Sequence, residues 1–73
     1  MSIKYLVYEN QDDANTKKEI IINNNDNIPS EYTMIIQHPS LLEWAFPIHP
    51  FYLEYFTEDE INLSTTLTPD WYL

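Results

Sequence analysis

Short runs of apolar and β-branched residues alternate with polar segments in the first half of the chain. Three runs have the length and composition of strands, at residues 3–8, 18–22 and 32–37. The three consecutive isoleucines at 20–22 indicate burial on both faces of a strand near the centre of a sheet. The segments 10–15 and 23–27 are rich in Asn and Asp, which is typical of turns. These short connections predict an antiparallel meander.

Prolines divide the second half into shorter pieces. Ser40 and Glu43 match a capping box, which predicts a short helix over residues 41–46 that Pro47 ends. The aromatic segment 51–56 favours a strand over a helical turn. Thr57 and Glu60 make a second capping-box match, and the Thr-rich segment 61–67 is a candidate last strand. The predicted fold class is α+β, an antiparallel sheet of three or four strands with one short helix, and all-β is the alternative.

The length of 73 residues predicts a single small domain over residues 1–73. A domain of this size buries only about 60% of its unfolded surface. Cysteine is absent, which excludes disulfides and thiolate metal sites. Packing of the aromatic residues or a partner must therefore support the fold, and we expect the terminal Trp71 and Tyr72 to fold back over the sheet. No apolar stretch approaches the roughly 18 residues of a membrane span, and no signal-peptide pattern is present; we expect a cytoplasmic protein.

Charge is distributed unevenly along the chain. Residues 1–18 contain all three lysines, which balance three of the 12 acidic residues. Nine acidic residues and no lysine or arginine follow, so the net charge of −9 belongs to residues 19–73. Such a surface repels nucleic acid and anionic membranes and attracts basic protein grooves. We therefore expect a basic protein partner, and neither nucleic acid nor membrane. Solubility is the competing explanation, because small domains commonly carry a net charge of about 2–8 in magnitude.

No motif with catalytic or ligand-binding chemistry is found. Glycine is absent, which excludes glycine-dependent phosphate loops and dinucleotide fingerprints. His38 and His49 each precede a proline and have no metal-ligand spacing, so we expect their rings to pack on Trp44 or Phe51. Ser40 is better explained as a helix cap than as a nucleophile. We predict no enzyme activity, no catalytic residue, no cofactor and no metal.

Acidic and aromatic residues are mixed in the second half of the chain. Carboxylates on alternate strand positions lie about 6.6 Å apart, which is close to the phosphate spacing along one nucleic-acid strand. A face of such acids fits a groove built for phosphate, and neighbouring aromatic side chains supply apolar anchors. The predicted partner-binding face consists of Glu54, Glu58, Asp59, Glu60 and Asp70, with Trp44, Tyr52 and Tyr55 as anchors.

In charge, size and its use of amino acids with AT-rich codons, the chain resembles small acidic phage proteins that act against host nucleic-acid enzymes. Anti-CRISPR and anti-restriction proteins are among these, and some of them mimic DNA. The resemblance covers no aligned residue, so no functional position is carried over. It implies a non-enzymatic inhibitor, encoded by a phage or mobile element, that binds the basic nucleic-acid-binding groove of a host protein in the host cytoplasm.

The sequence leaves two alternative functions and the oligomeric state open. The first alternative is an immunity protein or antitoxin that neutralises a basic nuclease toxin. The second is a small assembly subunit of a virion or complex, in which the aromatic residues would matter more than the acids. A homodimer is compatible with each of these functions.

Overall fold

The computed structural model describes residues 3–25 and 27–72, and within them it is an α+β fold built on one antiparallel sheet. The strands and α-helices follow in the order β1 (Lys4–Tyr8), α1 (Gln11–Asn23), β2 (Ile36–Gln37), β3 (Trp44–Ile48) and α2 (Glu58–Leu63). Short 3-10 helices lie at Ser30–Thr33, Pro50–Tyr55 and Pro69–Tyr72. The predicted fold class is confirmed, and so is strand β1, but most of the other elements lie elsewhere than predicted.

The sheet has the strand order β1-β3-β2, with both pairings antiparallel. It is not the predicted meander, because the chain leaves β1 into a helix and reaches the neighbouring position only with β3. The pairing of β1 with β3 places Tyr8 opposite Trp44 and Lys4 opposite Ile48. The sheet therefore has a Tyr8–Trp44 end and a Lys4–Ile48 end.

Helix α1 occupies the segment for which a turn and a strand were predicted, so both of those predictions are wrong. Asn10 caps the helix, because its side-chain oxygen accepts a hydrogen bond of 2.7 Å from the backbone N–H of Asp12. Asp12 and Asp13 stand in the first turn, where negative charge is favourable to the helix dipole. Ala14 and Ile21 are fully buried and lie two turns apart on one face.

Strand β3 replaces the predicted helix over 41–46 and contains the proline expected to end it. Tyr5 lies opposite Pro47, but its backbone bonds to Thr65 on the side away from β3. The Tyr5 N–H donates to the Thr65 carbonyl at 2.7 Å, and the Tyr5 carbonyl accepts from the Thr65 N–H at 2.9 Å. Tyr5 and Pro47 are therefore a non-hydrogen-bonded pair, so the N–H that proline lacks is not needed by β1. Strand β2 pairs with β3 only as far as Ala45, so it does not need an N–H at Pro47 either.

Three further segments differ in part from the predictions. Residues 51–56 belong mostly to a 3-10 helix rather than a strand, and the predicted strand 32–37 is reduced to Ile36–Gln37. The capping box at Thr57 is confirmed: its hydroxyl accepts from the Glu60 N–H at 3.1 Å, and the Glu60 carboxylate accepts from the Thr57 N–H at 2.8 Å. Helix α2 follows, so the predicted strand 61–67 retains only a bridge at Thr65.

The core lies on the face of the sheet that carries the even-numbered residues of β1 and β3. Helix α1 and the segment after β3 cover it, and the buried cluster consists of Leu6, Ile21, Phe46, Ile48, Tyr52 and Phe56. Tyr52 is fully buried, and its hydroxyl lies within hydrogen-bonding distance of the carbonyl oxygens of Tyr32 and, at 2.7 Å, Pro47. Of the terminal aromatics, Trp71 is buried as expected but Tyr72 is exposed.

Candidate functional site

Acidic side chains from two separate segments flank the Tyr8–Trp44 end of the sheet. Glu9 directly follows β1, and Asp12 and Asp13 lie in the first turn of α1, which starts at this end. Glu43 directly precedes Trp44 at the start of β3. The antiparallel pairing therefore brings carboxylates 30 or more positions apart in the sequence to the same end of the sheet.

Helix α2 contributes a third group of acids to this end. Burial, followed by the negative charges of Glu60 and Asp13, raises the pKa of the Tyr8 hydroxyl to about 12. The bridge between Thr65 and Tyr5 is antiparallel, so the chain before Thr65, which contains α2, runs back towards Tyr8. Glu58 and Asp59, which are exposed, share the first turn of α2 with Glu60.

A buried histidine holds a carboxylate from a fourth chain segment in place. His38 follows β2, and its Nε2 lies 2.8 Å from Oδ2 of Asp70. Its backbone N–H bonds to the carbonyl of Glu43, next to Trp44, so Asp70 lies beside the connection between β2 and β3. The hydrogen bond from His38, followed by one from the Thr68 hydroxyl, holds the pKa of the Asp70 carboxyl below its ordinary value of 3.8. Asp70 is therefore ionised at neutral pH.

We call this surface the acidic end. It consists of the carboxylates that adjoin the Tyr8–Trp44 end of the sheet or share a helix turn with one that does: Glu9, Asp12, Asp13, Glu43, Glu58, Asp59, Glu60 and Asp70. Four of the five predicted acids belong to it, whereas Glu54 is exposed in a 3-10 helix, and no hydrogen bond or ion pair of the described residues joins it to the others.

Four members of the acidic end were missed from the sequence. Glu9, Asp12 and Asp13 were counted with the lysines of a neutral segment, and Glu43 was assigned to a helix cap. The signal for Asp12 and Asp13 is their spacing after Asn10, which is typical of a helix N-terminus, and Glu9 directly precedes Asn10. No comparable local signal identifies Glu43, because its position follows from the pairing of β3.

The lysine nearest to the acidic end is used inside the protein. The Lys17 ammonium donates to the carbonyl of Tyr55 at 2.8 Å, lies 3.3 Å from the Glu60 carboxylate, and sits 4.8 Å from the centre of the Phe56 ring. Burial alone would raise the pKa of Glu60, but the N–H of Thr57 and the Lys17 charge outweigh it and lower the pKa below 4.5. Lys17 thus neutralises one acid and ties α1 to α2.

The three predicted aromatic anchors differ in their accessibility. Tyr52 is a core residue with its hydroxyl bonded internally, so the structure does not place it on a binding surface. Tyr55 is partly buried, and its hydroxyl accepts from the Asn25 side chain at 3.3 Å. Trp44 is partly exposed at the acidic end, opposite Tyr8. The indole N–H of Trp44 and the hydroxyl of Tyr8 have no hydrogen-bond partner among the described residues.

The contacts Asp70–His38–Ser40 have the order of a catalytic triad but not its chemistry. The Ser40 hydroxyl lies 3.4 Å from Nδ1 of His38, yet that nitrogen already accepts the backbone N–H groups of Ser40 and Leu41, each at 3.1 Å. We therefore assign the proton to Nε2, which donates it to Asp70. Because the only lone pair that faces Ser40 is occupied, His38 is not placed to act as its general base. Its ring instead contacts Trp71, edge to face at 4.7 Å, rather than the expected Trp44 or Phe51.

The other histidine is in an aromatic stack. The His49 ring lies 4.2 Å from the Tyr32 ring and 5.8 Å from that of Phe51, so the expected packing on Phe51 is confirmed. In residues 3–25 and 27–72, no three or more His, Cys, Asp or Glu side chains are grouped so that they could hold a metal ion. Within the same ranges, none of the helices has the length and apolar character needed to cross a membrane.

Comparison of the chain with protein-family models, with curated proteins and with solved structures finds no match.

Proposed function

We propose that this protein is a non-enzymatic inhibitor whose acidic end occupies a basic, nucleic-acid-binding groove of a host protein. The observation that carries the proposal is the convergence of carboxylates from four chain segments on one end of the sheet. A groove that binds phosphates presents lysine and arginine side chains, and a dense set of carboxylates satisfies the same charges.

The internal use of Lys17 supports the proposal. Its side chain is only 17% exposed, and its ammonium contacts Tyr55, Glu60 and Phe56. It therefore neutralises Glu60 and leaves the exposed Glu58 and Asp59 without a lysine partner among the described residues. A basic partner would supply the missing counter-charges.

Rigid placement of the acids also favours binding. Asp70 is held by His38, and Glu60 is held both by its capping box and by Lys17. Charged groups already fixed in position lose less conformational entropy on association than free side chains do. Trp44, partly exposed at the same end, supplies an apolar contact within the charged surface.

The test is capture from a lysate at low salt, followed by elution with double-stranded DNA in one arm and with salt in the other. We expect a basic nucleic-acid-binding protein to elute in both arms, because DNA and the acidic end compete for one groove. The matched comparison is Glu58→Gln/Asp59→Asn against Glu19→Gln/Glu31→Gln, since each pair removes two exposed acids. Equal capture by both variants, or a partner that DNA does not release, would contradict the proposal.

A specific observation favours a second candidate, the assembly subunit. Several large apolar side chains are exposed, with Leu42, Phe51 and Leu63 each about two thirds or more accessible. Exposed apolar surface of this kind is typical of sites of association. A stable oligomer in sedimentation velocity that persists at high salt would favour this candidate, whereas a salt-sensitive complex with a basic protein favours the inhibitor.

A further inference from the structure

An apolar groove lies at the Lys4–Ile48 end of the sheet. Its volume is about 690 Å³, and its walls come from the start of β1, the end of β3 and helix α2: Ile3, Lys4, Ile48, His49, Pro50, Ile61 and Ser64. This volume is within the range of about 300–1,000 Å³ typical of small-molecule sites. Ile48 is buried at the sheet, while Ile3 and Ile61 are 39% and 36% exposed.

Two side chains of this groove offer hydrogen-bond donors to a ligand. Lys4 is exposed and makes no ion pair with any described residue, and an ammonium group only donates. Nδ1 of His49 accepts the N–H of Phe51 at 3.2 Å, which leaves the proton of the neutral ring on Nε2. The Ser64 hydroxyl donates its proton to the carbonyl of Ile61 at 2.6 Å and so has no proton left for a ligand.

These features specify the chemistry of a ligand. Apolar walls require a hydrocarbon chain or ring, and two donors at the rim require an acceptor such as a carboxylate. A single lysine compensates a single negative charge, whereas a phosphate dianion would add uncompensated charge to a chain that already carries −9. The fixed His49 ring, stacked on Tyr32 at 4.2 Å, provides a donor whose direction is set in advance.

We infer that this groove binds an amphipathic monocarboxylate, with its apolar chain between Ile3, Ile48 and Ile61 and its carboxylate at Lys4 and His49. This site shares no residue with the acidic end, so the test of one does not decide the other.

Decanoate, octanoate and decanol are suitable probes, used below the concentrations at which they form micelles. Titration calorimetry should show saturable binding of decanoate, about fourfold weaker binding for each methylene removed, and weaker binding of decanol. The methyl resonances of Ile3, Ile48 and Ile61 should shift on titration. Absence of saturation, or decanol binding as tightly as decanoate, would overturn the inference.

Variants separate the charge from the apolar walls. Lys4→Gln should weaken decanoate binding about tenfold and leave decanol unchanged, because only the carboxylate uses the ammonium. Lys18→Gln, which removes the same charge from α1, is the control and should change neither. His49→Phe keeps an aromatic ring in the stack but removes the donor, so it should also weaken decanoate selectively. Equal decanoate affinity for wild type, Lys4→Gln and His49→Phe would contradict the assignment.

Discussion

Replacing Ile21 with alanine should destabilise the protein far more than the same substitution at Ile20 or Ile22. Ile21 is fully buried in the core cluster with Leu6 and Phe46, whereas Ile20 and Ile22 are 45% and 44% exposed. Buried Ile→Ala substitutions cost about 2–5 kcal/mol. The two exposed positions lose only part of their transfer free energy, about 1 kcal/mol, and alanine returns a few tenths through its better helix propensity.

Urea unfolding, followed by circular dichroism, measures the three free energies of unfolding on a common scale. If Ile21→Ala does not fold, Ile21→Val is the milder change, with an expected cost of about 0.5–1.5 kcal/mol. A strand would place Ile20 and Ile22 together on the face opposite to Ile21. Equal losses at all three positions, or larger losses at Ile20 and Ile22, would therefore refute the helix and the packing of α1 on the sheet.

Three further predictions concern the hydrogen bonds and the ion pair of individual polar side chains. Tyr52→Phe should lower the free energy of unfolding by about 1–3 kcal/mol, because it leaves carbonyl oxygens unpaired. Tyr8→Phe removes a hydroxyl that has no partner among the described residues, so it should be neutral or stabilising. Denaturant unfolding measures both, and equal losses of stability would be inconsistent with these contacts. The pKa of Glu60 is depressed in the folded state, so its contribution to stability is present above pH 4.5 and is lost as the pH falls through the lower folded pKa. Lys17→Met should reduce this loss of stability at low pH. An unchanged dependence of the free energy of unfolding on pH would count against the ion pair. Asp70→Ala should lower the melting temperature and shift the indole resonance of the neighbouring Trp71, because His38 loses its acceptor; an unmoved resonance would show that the tether is not needed.

The parts of the fold that depend on local chemistry could be predicted from the sequence. The β-branched and aromatic run in residues 3–8 forms β1, and the capping box from Thr57 to Glu60 starts a helix as its spacing indicates. Both signals act through neighbouring residues, and this is why they are sufficient. The α+β class follows from having elements of both kinds, even though the main helix is α1 and not residues 41–46.

The parts that depend on distant contacts could not be predicted. Pro47 argues against a strand, but it is tolerated because the backbone of Tyr5 bonds to Thr65 on its other side. Nothing near Pro47 in the sequence reports this. Likewise, the three isoleucines at 20–22 are compatible with a central strand until the burial of Ala14, seven residues before Ile21, is known.

The candidate site was also predictable only where its residues are neighbours in the sequence. Glu58, Asp59 and Glu60 are adjacent in the sequence, so their common surface could be predicted from the capping box. Asp70 joins them only through its hydrogen bond to His38, which lies 32 residues earlier in the chain. Glu9, Asp12 and Asp13 join them only because α1 begins at the Tyr8–Trp44 end.

Salt dependence of partner binding shows whether the carboxylates of the acidic end contact the partner. The captured partner is titrated at several salt concentrations with wild type, with Glu58→Gln/Asp59→Asn, and with the control pair at Glu19 and Glu31. Contacts between opposite charges at the acidic end predict that the first pair weakens binding and reduces the slope of log affinity against log salt, while the control pair follows wild type. Three coincident lines, or an affinity that salt does not change, would contradict the account.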